Sequence, residues 1–239
     1  MIHSGNTVSD RWDERKSPPR KISDAERQYR KQLKEVRKPK VKKQINVSEA
    51  KRMLADHIKR ACPEFKYVPA NQKLLNSLAY YAAQDHNFCQ TGYDLSESAE
   101  GRSINKLSLK KGILILGRYG VGKTTIMRAL ARVIGAKQTT AMHIVDAYND
   151  ANSLKRFELG SWYIDDVGRE RSARFAKKTD APIMSDLIEK RYFNQSGITL
   201  LTTNLSIEEI SDVYGPRVES RLWEMFNMYA LGGVDYRKE

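Results

Sequence analysis

The apolar positions predict alternating strands and helices in the second half of the chain. The continuous apolar runs 113–116, 162–164 and 198–201 have the length and composition of buried strands. Apolar residues at helical spacing occupy 126–134, directly after the first of these runs. Strands and helices that alternate in this way predict an α/β fold, a parallel sheet covered by helices.

Weaker patterns fill the intervals between these runs. We expect a strand at 141–145 and a short helix at 151–157. Ser206 and Glu209 form a capping box that opens a helix, and Pro216 begins the next one. A further helix is expected to start with Asp180 and Pro182 and to bury the following apolar residues: Ile183, Met184, Leu187 and Ile188.

Two helices are predicted before this α/β region. The first covers 46–61, and the second begins at Pro69 and carries a stripe of Leu and Tyr residues. That stripe is typical of core packing against the α/β region, and a docking face for another protein remains an alternative. A base-binding pocket near 67–71 is a third possibility. Residues 86–110 are polar and rich in turn formers, which predicts a surface loop.

The first 45 residues form a basic arm with 14 basic and 6 acidic residues. The few apolar residues of this arm cannot bury enough surface to offset chain entropy, and we therefore expect disorder to about residue 22. A capping-box pattern at Ser23 predicts a short basic helix that ends before Pro39. The arm either binds nucleic acid or a protein, or solubilises the chain. The predicted domains are therefore the arm at 1–45, helices and loop at 46–106, and the nucleotide domain at 107–239.

Composition narrows the class of protein. A net charge of +13 and a pI near 9.6 favour an anionic partner, nucleic acid before membrane, with a solvated basic surface as the alternative. Cys62 and Cys89 lack metal-ligand spacing and are interpreted as free thiols in a reducing compartment. No run is apolar enough to span a membrane, and we expect a cytoplasmic protein.

The most specific motif follows the first apolar run and precedes the first helix. A glycine-rich turn between a strand and a helix is the setting of a phosphate-binding loop, whose backbone N–H groups surround a polyphosphate. Lys123 is predicted to reach the β- and γ-phosphates of ATP, and the Thr124 hydroxyl to ligate Mg²⁺. The predicted loop consists of Gly117, Arg118, Tyr119, Gly120, Val121, Gly122, Lys123, Thr124 and Thr125.

Polar residues at the ends of two later strands add candidates for chemistry. Asp165 and Asp166 end the run at 162–164, and carboxylates beside a phosphate loop are suited to hold Mg²⁺ and to polarise the attacking water. We assign Asp165 to magnesium and Asp166 to the water; a helix cap or turn is the alternative. Asn204 follows the last run and could hydrogen-bond the γ-phosphate or the water, although asparagine is also a common turn residue.

Two arginine-bearing segments follow the acidic pair. The loop 168–178 is basic and either tracks the phosphates of single-stranded DNA or is simply solvated. Arg217 and Arg221 share one face of the helix that begins at Pro216, while an apolar face holds that helix down. Such a pair is suited to an arginine finger that reaches the nucleotide of a neighbouring subunit. Intrahelical salt bridges with Glu224 are the alternative.

The order of these motifs resembles the AAA+ ATPases of the DnaC and DnaI helicase-loader group, to which IstB-type transposition helpers are related. The resemblance rests on the phosphate loop, Asp-Asp, Thr-Thr-Asn at 202–204 and the segment 214–222, and it covers roughly 107–239. It implies an AAA+ fold without a separate lid domain. It also implies that Asn204 is sensor 1, that Arg221 before Arg217 is the arginine finger, and that Arg237 is sensor 2.

The resemblance further implies a function. It suggests ATP binding and hydrolysis by homo-oligomers that load a hexameric, DnaB-type replicative helicase onto single-stranded or duplex DNA. The alternatives are a transposition helper that binds DNA and a transposase, or a nucleotide-bound adaptor that does not hydrolyse. Asp166 stands where many AAA+ ATPases have glutamate, so hydrolysis is expected to be slow. Only 42 residues separate Lys123 from Asp165, which leaves little room for the extra helix with which loaders grip DNA.

Overall fold

The computed structural model describes residues 45–91, 107–172 and 183–232. Five predictions fall wholly or partly outside these residues: the basic arm, the centre of the loop at 86–110, the basic loop beyond 172, the helix start at Asp180 and Pro182, and Arg237. Among the described residues, no helix is both long and apolar enough to cross a membrane.

Five parallel strands form one sheet in the order β2-β3-β4-β1-β5. The predicted fold class, a parallel α/β sheet covered by helices, is confirmed. β1 lies between β4 and β5 and is buried along its whole length, as strands covered on both faces usually are. The strands are β1 Gly112–Leu116, β2 Lys137–Thr140, β3 Trp162–Val167, β4 Thr199–Thr203 and β5 Phe226–Ala230.

Helices cover both faces of the sheet, and successive residues of β1 are buried on opposite faces. Ile113 and Ile115 of β1 face one hydrophobic cluster, whereas Leu114 and Leu116 face the other. The helices are α1 Val47–Ala61, α2 Pro69–Ala82, α3 Lys123–Ile134, α4 Ala141–Ala151, α5 Lys155–Glu158, α6 Ile183–Asn194, α7 Ile207–Tyr214 and α8 Pro216–Met225. Short 3₁₀ turns lie at His86–Gln90 and Arg169–Ser172.

Helices α1 and α2 share a hydrophobic core with α3 and one face of the sheet. Leu54 and Ile58 of α1 and Leu74 and Leu78 of α2 are buried in that core. The structure therefore favours core packing among the three interpretations of the Leu and Tyr stripe. α1 begins as predicted, because the Asn46 side chain accepts a hydrogen bond of 2.8 Å from the Glu49 N–H.

The predicted strand at 141–145 is wrong, because these residues begin α4 instead. The Thr140 hydroxyl caps the helix by accepting from the His143 N–H at 3.1 Å, and Ala141 and Ile144 share its buried side. The strand of this region is β2, a mostly exposed edge strand just upstream. The predicted helix at 151–157 is also displaced, since α5 occupies only Lys155–Glu158.

Candidate functional site

The phosphate loop connects the carboxyl end of β1 to the first turn of α3, as predicted. Gly122 has φ +91°, a conformation that residues with a Cβ rarely adopt, and a Cβ there would lie 3.0 Å from the Phe65 ring. Tyr119 is 61% exposed at the tip of the loop, whereas Val121 is buried against the core. The loop thus presents backbone and polar groups to one side and is anchored to the core on the other.

Lys123 is buried, and its ammonium points back across the loop. It donates hydrogen bonds of 2.7 Å to the Gly117 carbonyl, the Arg118 carbonyl and the Asn204 Oδ1. The contact with Asn204 joins the loop to the end of β4, which lies between β1 and β3 in the sheet. The strand order therefore brings together two predicted site residues that are far apart in the sequence.

Asp165 lies at the centre of a hydrogen-bonded group beneath the loop. Its Oδ1 accepts from the Thr124 hydroxyl at 3.1 Å and from the buried Thr202 hydroxyl, and its Oδ2 lies 3.5 Å from Arg128 Nη2. Mg²⁺ is commonly held by one or two carboxylates together with substrate phosphates, so Thr124 and Asp165 fit a magnesium ion of a nucleotide. In the described part of the chain, no cluster of three or more His, Cys, Asp or Glu residues is suited to hold a metal alone.

Asp166 has a backbone conformation that the sequence did not reveal. Its φ is +56°, and the pairing of β3 with β4 shifts register between Ile164 and Val167. Without this bulge, strand alternation would place the carboxylates of Asp165 and Asp166 on opposite faces of the sheet. Asp166 instead lines the same cavity as Lys123, and its Oδ2 lies 3.3 Å from Arg169 Nη1.

These residues surround a cavity of about 670 Å³ at the carboxyl edge of the sheet. Its lining includes the predicted residues Gly120, Gly122, Lys123, Thr124, Thr125, Asp166 and Asn204. This volume falls within the range of small-molecule sites, roughly 300 to 1,000 Å³. Phosphate-loop amides, a lysine, a threonine hydroxyl, carboxylates and an amide therefore converge on one cavity that is large enough for a nucleotide.

The side wall of the cavity comes from the segment between α1 and α2, which sequence reasoning did not assign to the site. Cys62, Glu64, Phe65 and Lys66 line the cavity. Residues 67–71, which were the predicted alternative for a base-binding pocket, do not line this cavity. Phe65 contacts the backbone at Gly122, and no motif in the sequence signals that contact.

Arg217 and Arg221 do not line the cavity of their own chain. Arg221 stacks over the Tyr192 ring, 4.0 Å from its centroid, and pairs with Glu224 at 3.1 Å. Arg217 Nε instead lies 3.1 Å from a carboxylate oxygen of Glu189 on α6. The predicted Glu224 salt bridge thus forms with Arg221 alone. The Arg217 side chain is 64% exposed, whereas that of Arg221, stacked and paired, is 25% exposed.

A parallel sheet with a phosphate loop between β1 and α3 defines a P-loop fold of the α/β class. No family model matches the chain, and no curated protein does either. Solved structures similar to it include the DnaC helicase loader, with 16% identity, 76% of this chain and 99% of that chain covered, and a TM-score of 0.48. DnaI has 13% identity, coverage of 77% and 92%, and a TM-score of 0.47.

A third similar structure is a putative primosome component from Streptococcus pyogenes serotype M3. It has 15% identity, coverage of 70% of this chain and 82% of that chain, and a TM-score of 0.45. DnaC and DnaI belong to the group that the motif order resembles. At such identities the likeness concerns the fold.

Proposed function

We propose that this chain binds and hydrolyses ATP with Mg²⁺ and uses the cycle to load a hexameric replicative helicase onto DNA. The observation that carries the ATPase part is the convergence of Lys123, Thr124, Asp166 and Asn204 on one cavity. Asp165 does not line that cavity but accepts a hydrogen bond from Thr124, which does. The loading part rests on the order of the motifs, which resembles that of helicase loaders. No contact with DNA or with a helicase is assigned to any of the residues that the structure describes.

Each residue has a proposed role in this cycle. Lys123 binds the β- and γ-phosphates, and Thr124 and Asp165 complete the magnesium shell when the ion arrives with the nucleotide. Asp166 orients and deprotonates the attacking water, and Asn204 hydrogen-bonds the γ-phosphate or that water. Arg221, with Arg217 second, stabilises the developing charge on a nucleotide held by a neighbouring copy.

The test is the mass of the full chain mixed with a replicative helicase from the same cell, with and without ATP. We expect a discrete complex whose stoichiometry depends on nucleotide. Lys123→Ala is expected to abolish the nucleotide dependence because it removes the phosphate contact. Arg221→Ala is expected to abolish assembly while leaving nucleotide binding by the single chain intact, since Arg221 lies outside its own cavity.

A second candidate is a transposition helper, and the basic arm favours it. Residues 1–45 carry +8 of the total charge of +13, which suits duplex DNA through phosphate contacts. If the chain bound nucleotide and duplex DNA, the latter in a salt-sensitive way, but formed no complex with the helicase, that result would favour the transposition helper over helicase loading. Nucleotide binding without turnover would instead indicate an adaptor.

A further inference from the structure

Arg169 lies near the start of the loop that was predicted either to track single-stranded DNA or to be solvated, and neither role explains its place in the wall of the cavity. The positive φ values of Asp166 and Gly168, +56° and +102°, turn the chain back after β3. Arg169 consequently lines the same cavity as Lys123 and Asn204, and its guanidinium pairs with Asp166 at 3.3 Å. Arg169 therefore pairs with Asp166, the carboxylate that we propose to position the attacking water.

The position of Arg169 corresponds to the terminal phosphate rather than to the nucleoside. Lys123 of a phosphate loop reaches the phosphates farthest from the sugar, and its ammonium contacts Asn204 at 2.7 Å. Asn204, Asp166 and Arg169 all line the cavity, and the Arg169–Asp166 pair at 3.3 Å puts this guanidinium beside the carboxylate assigned to the water that attacks the γ-phosphate. The Arg169 side chain is 65% exposed and can turn toward a phosphate with little loss of packing.

The backbone that carries Arg169 is held independently of its side chain. Glu170 is buried, accepts a hydrogen bond of 2.8 Å from the Gly168 N–H, and accepts another from the Tyr214 hydroxyl. A Cβ at Gly168 would lie 2.6 Å from Leu205, so this turn is closely packed. A fixed turn with an exposed guanidinium allows exchange between two partners without backbone rearrangement.

We propose that Arg169 determines the preference of this site for nucleoside triphosphate over diphosphate. Without a γ-phosphate it pairs with Asp166; a triphosphate binds the guanidinium and thereby releases the Asp166 carboxylate for the attacking water. An exposed ion pair is weak, whereas guanidinium and phosphate form strong paired hydrogen bonds, so the exchange favours the phosphate. The inference rests on nucleotide binding at this cavity, the first part of the proposed function.

The test compares the affinities of the full chain for ADP and for a non-hydrolysable ATP analogue by calorimetry. We expect Arg169→Ala to weaken binding of the ATP analogue about tenfold or more, the range of a hydrogen bond to a charged group, and to change ADP binding less than about twofold. Arg169→Lys retains the charge but not the paired geometry, so we expect its affinity for the ATP analogue to lie between those of the unmodified chain and of Arg169→Ala. The control Arg156→Ala removes an exposed arginine outside the cavity and should change neither affinity.

Equal weakening of both ligands, or no change in either, would overturn the role of Arg169. If the unmodified chain bound neither ligand, nucleotide binding itself would be wrong, and this outcome is distinct from the first. Thermal unfolding of each variant checks the fold, and Arg169→Lys keeps the inference testable should Arg169→Ala unfold.

Discussion

One cation is buried at each end of the parallel strands, and the two cations differ in what they contact. At the carboxyl ends of the strands, Lys123 contacts the carbonyls of Gly117 and Arg118 and the side chain of Asn204, and both Lys123 and Asn204 line the cavity. At the amino edge, Arg191 donates to the Thr199 hydroxyl at 2.9 Å and to the carbonyls of Phe157 and Gly160 at 2.5 and 2.7 Å.

The difference separates function from stability. Each guanidinium nitrogen of Arg191 has a protein acceptor on the elements that it joins, although burial lowers its pKa to about 10. Lys123 instead contacts groups that a polyphosphate would displace or share. A buried cation whose acceptors lie between packed elements holds those elements together, whereas Lys123 also lines a cavity, where it is placed to meet a ligand.

The largest expected effect comes from Asp166→Asn at the carboxyl edge. We expect steady-state ATP hydrolysis to fall about 100-fold or more, the scale of a lost general base, with nucleotide affinity nearly retained. The fold should persist, because asparagine tolerates the positive φ of +56° at this position. A phosphate-release assay and thermal unfolding measure the two quantities, and unchanged turnover would rule out the role of Asp166.

Arg191→Ala is expected to lower the free energy of unfolding by about 3 kcal/mol, because it leaves a buried carbonyl at Phe157 and a partly buried one at Gly160 without their donor. Lys123→Ala should change the same quantity by less than about 1 kcal/mol, since its contacts are only partly buried and the vacated space opens to the cavity, where water can solvate the acceptors. Urea unfolding of both variants makes this comparison. Equal losses would contradict the distinction between the two edges.

The smallest effect concerns Cys62 in the side wall of the cavity. Burial, followed by the nearby Glu64 carboxylate, raises the pKa of the Cys62 thiol, so little thiolate forms at neutral pH. We expect alkylation to accelerate as the pH rises, Glu64→Gln to increase the rate several-fold at mildly alkaline pH, and bound nucleotide to suppress it. Peptide mass spectrometry measures the rate at Cys62; a rate insensitive to nucleotide would place Cys62 outside the binding region.

Strong local patterns allowed most of the fold to be predicted. The run at 113–116 and the phosphate loop combine apolar strand, glycine turn and helix, and these are local signals. The edge strand β2 lacked such a signal, because its residues are polar and largely exposed. β5 was not predicted either: Asn227 interrupts its apolar pattern, although it is buried and bonded to Ser108 and Gly112.

The candidate site was predicted where its members belong to motifs and not where they meet through tertiary contacts. Asp165 and Asn204 follow apolar strands, and the parallel sheet brings them together. Phe65 reaches the phosphate loop only because α1 and α2 pack on α3. Arg169 enters the cavity through a positive φ at Asp166, which sequence periodicity does not encode.

The buried Glu170 has a mechanical consequence. Its carboxylate ties the turn after β3 to Tyr214 at the end of α7. Gly215 and Pro216 follow directly and start α8, which carries Arg217 and Arg221. One buried carboxylate therefore connects the cavity wall to the start of the arginine helix, and we expect a shift of that wall to be felt at Arg217 and Arg221.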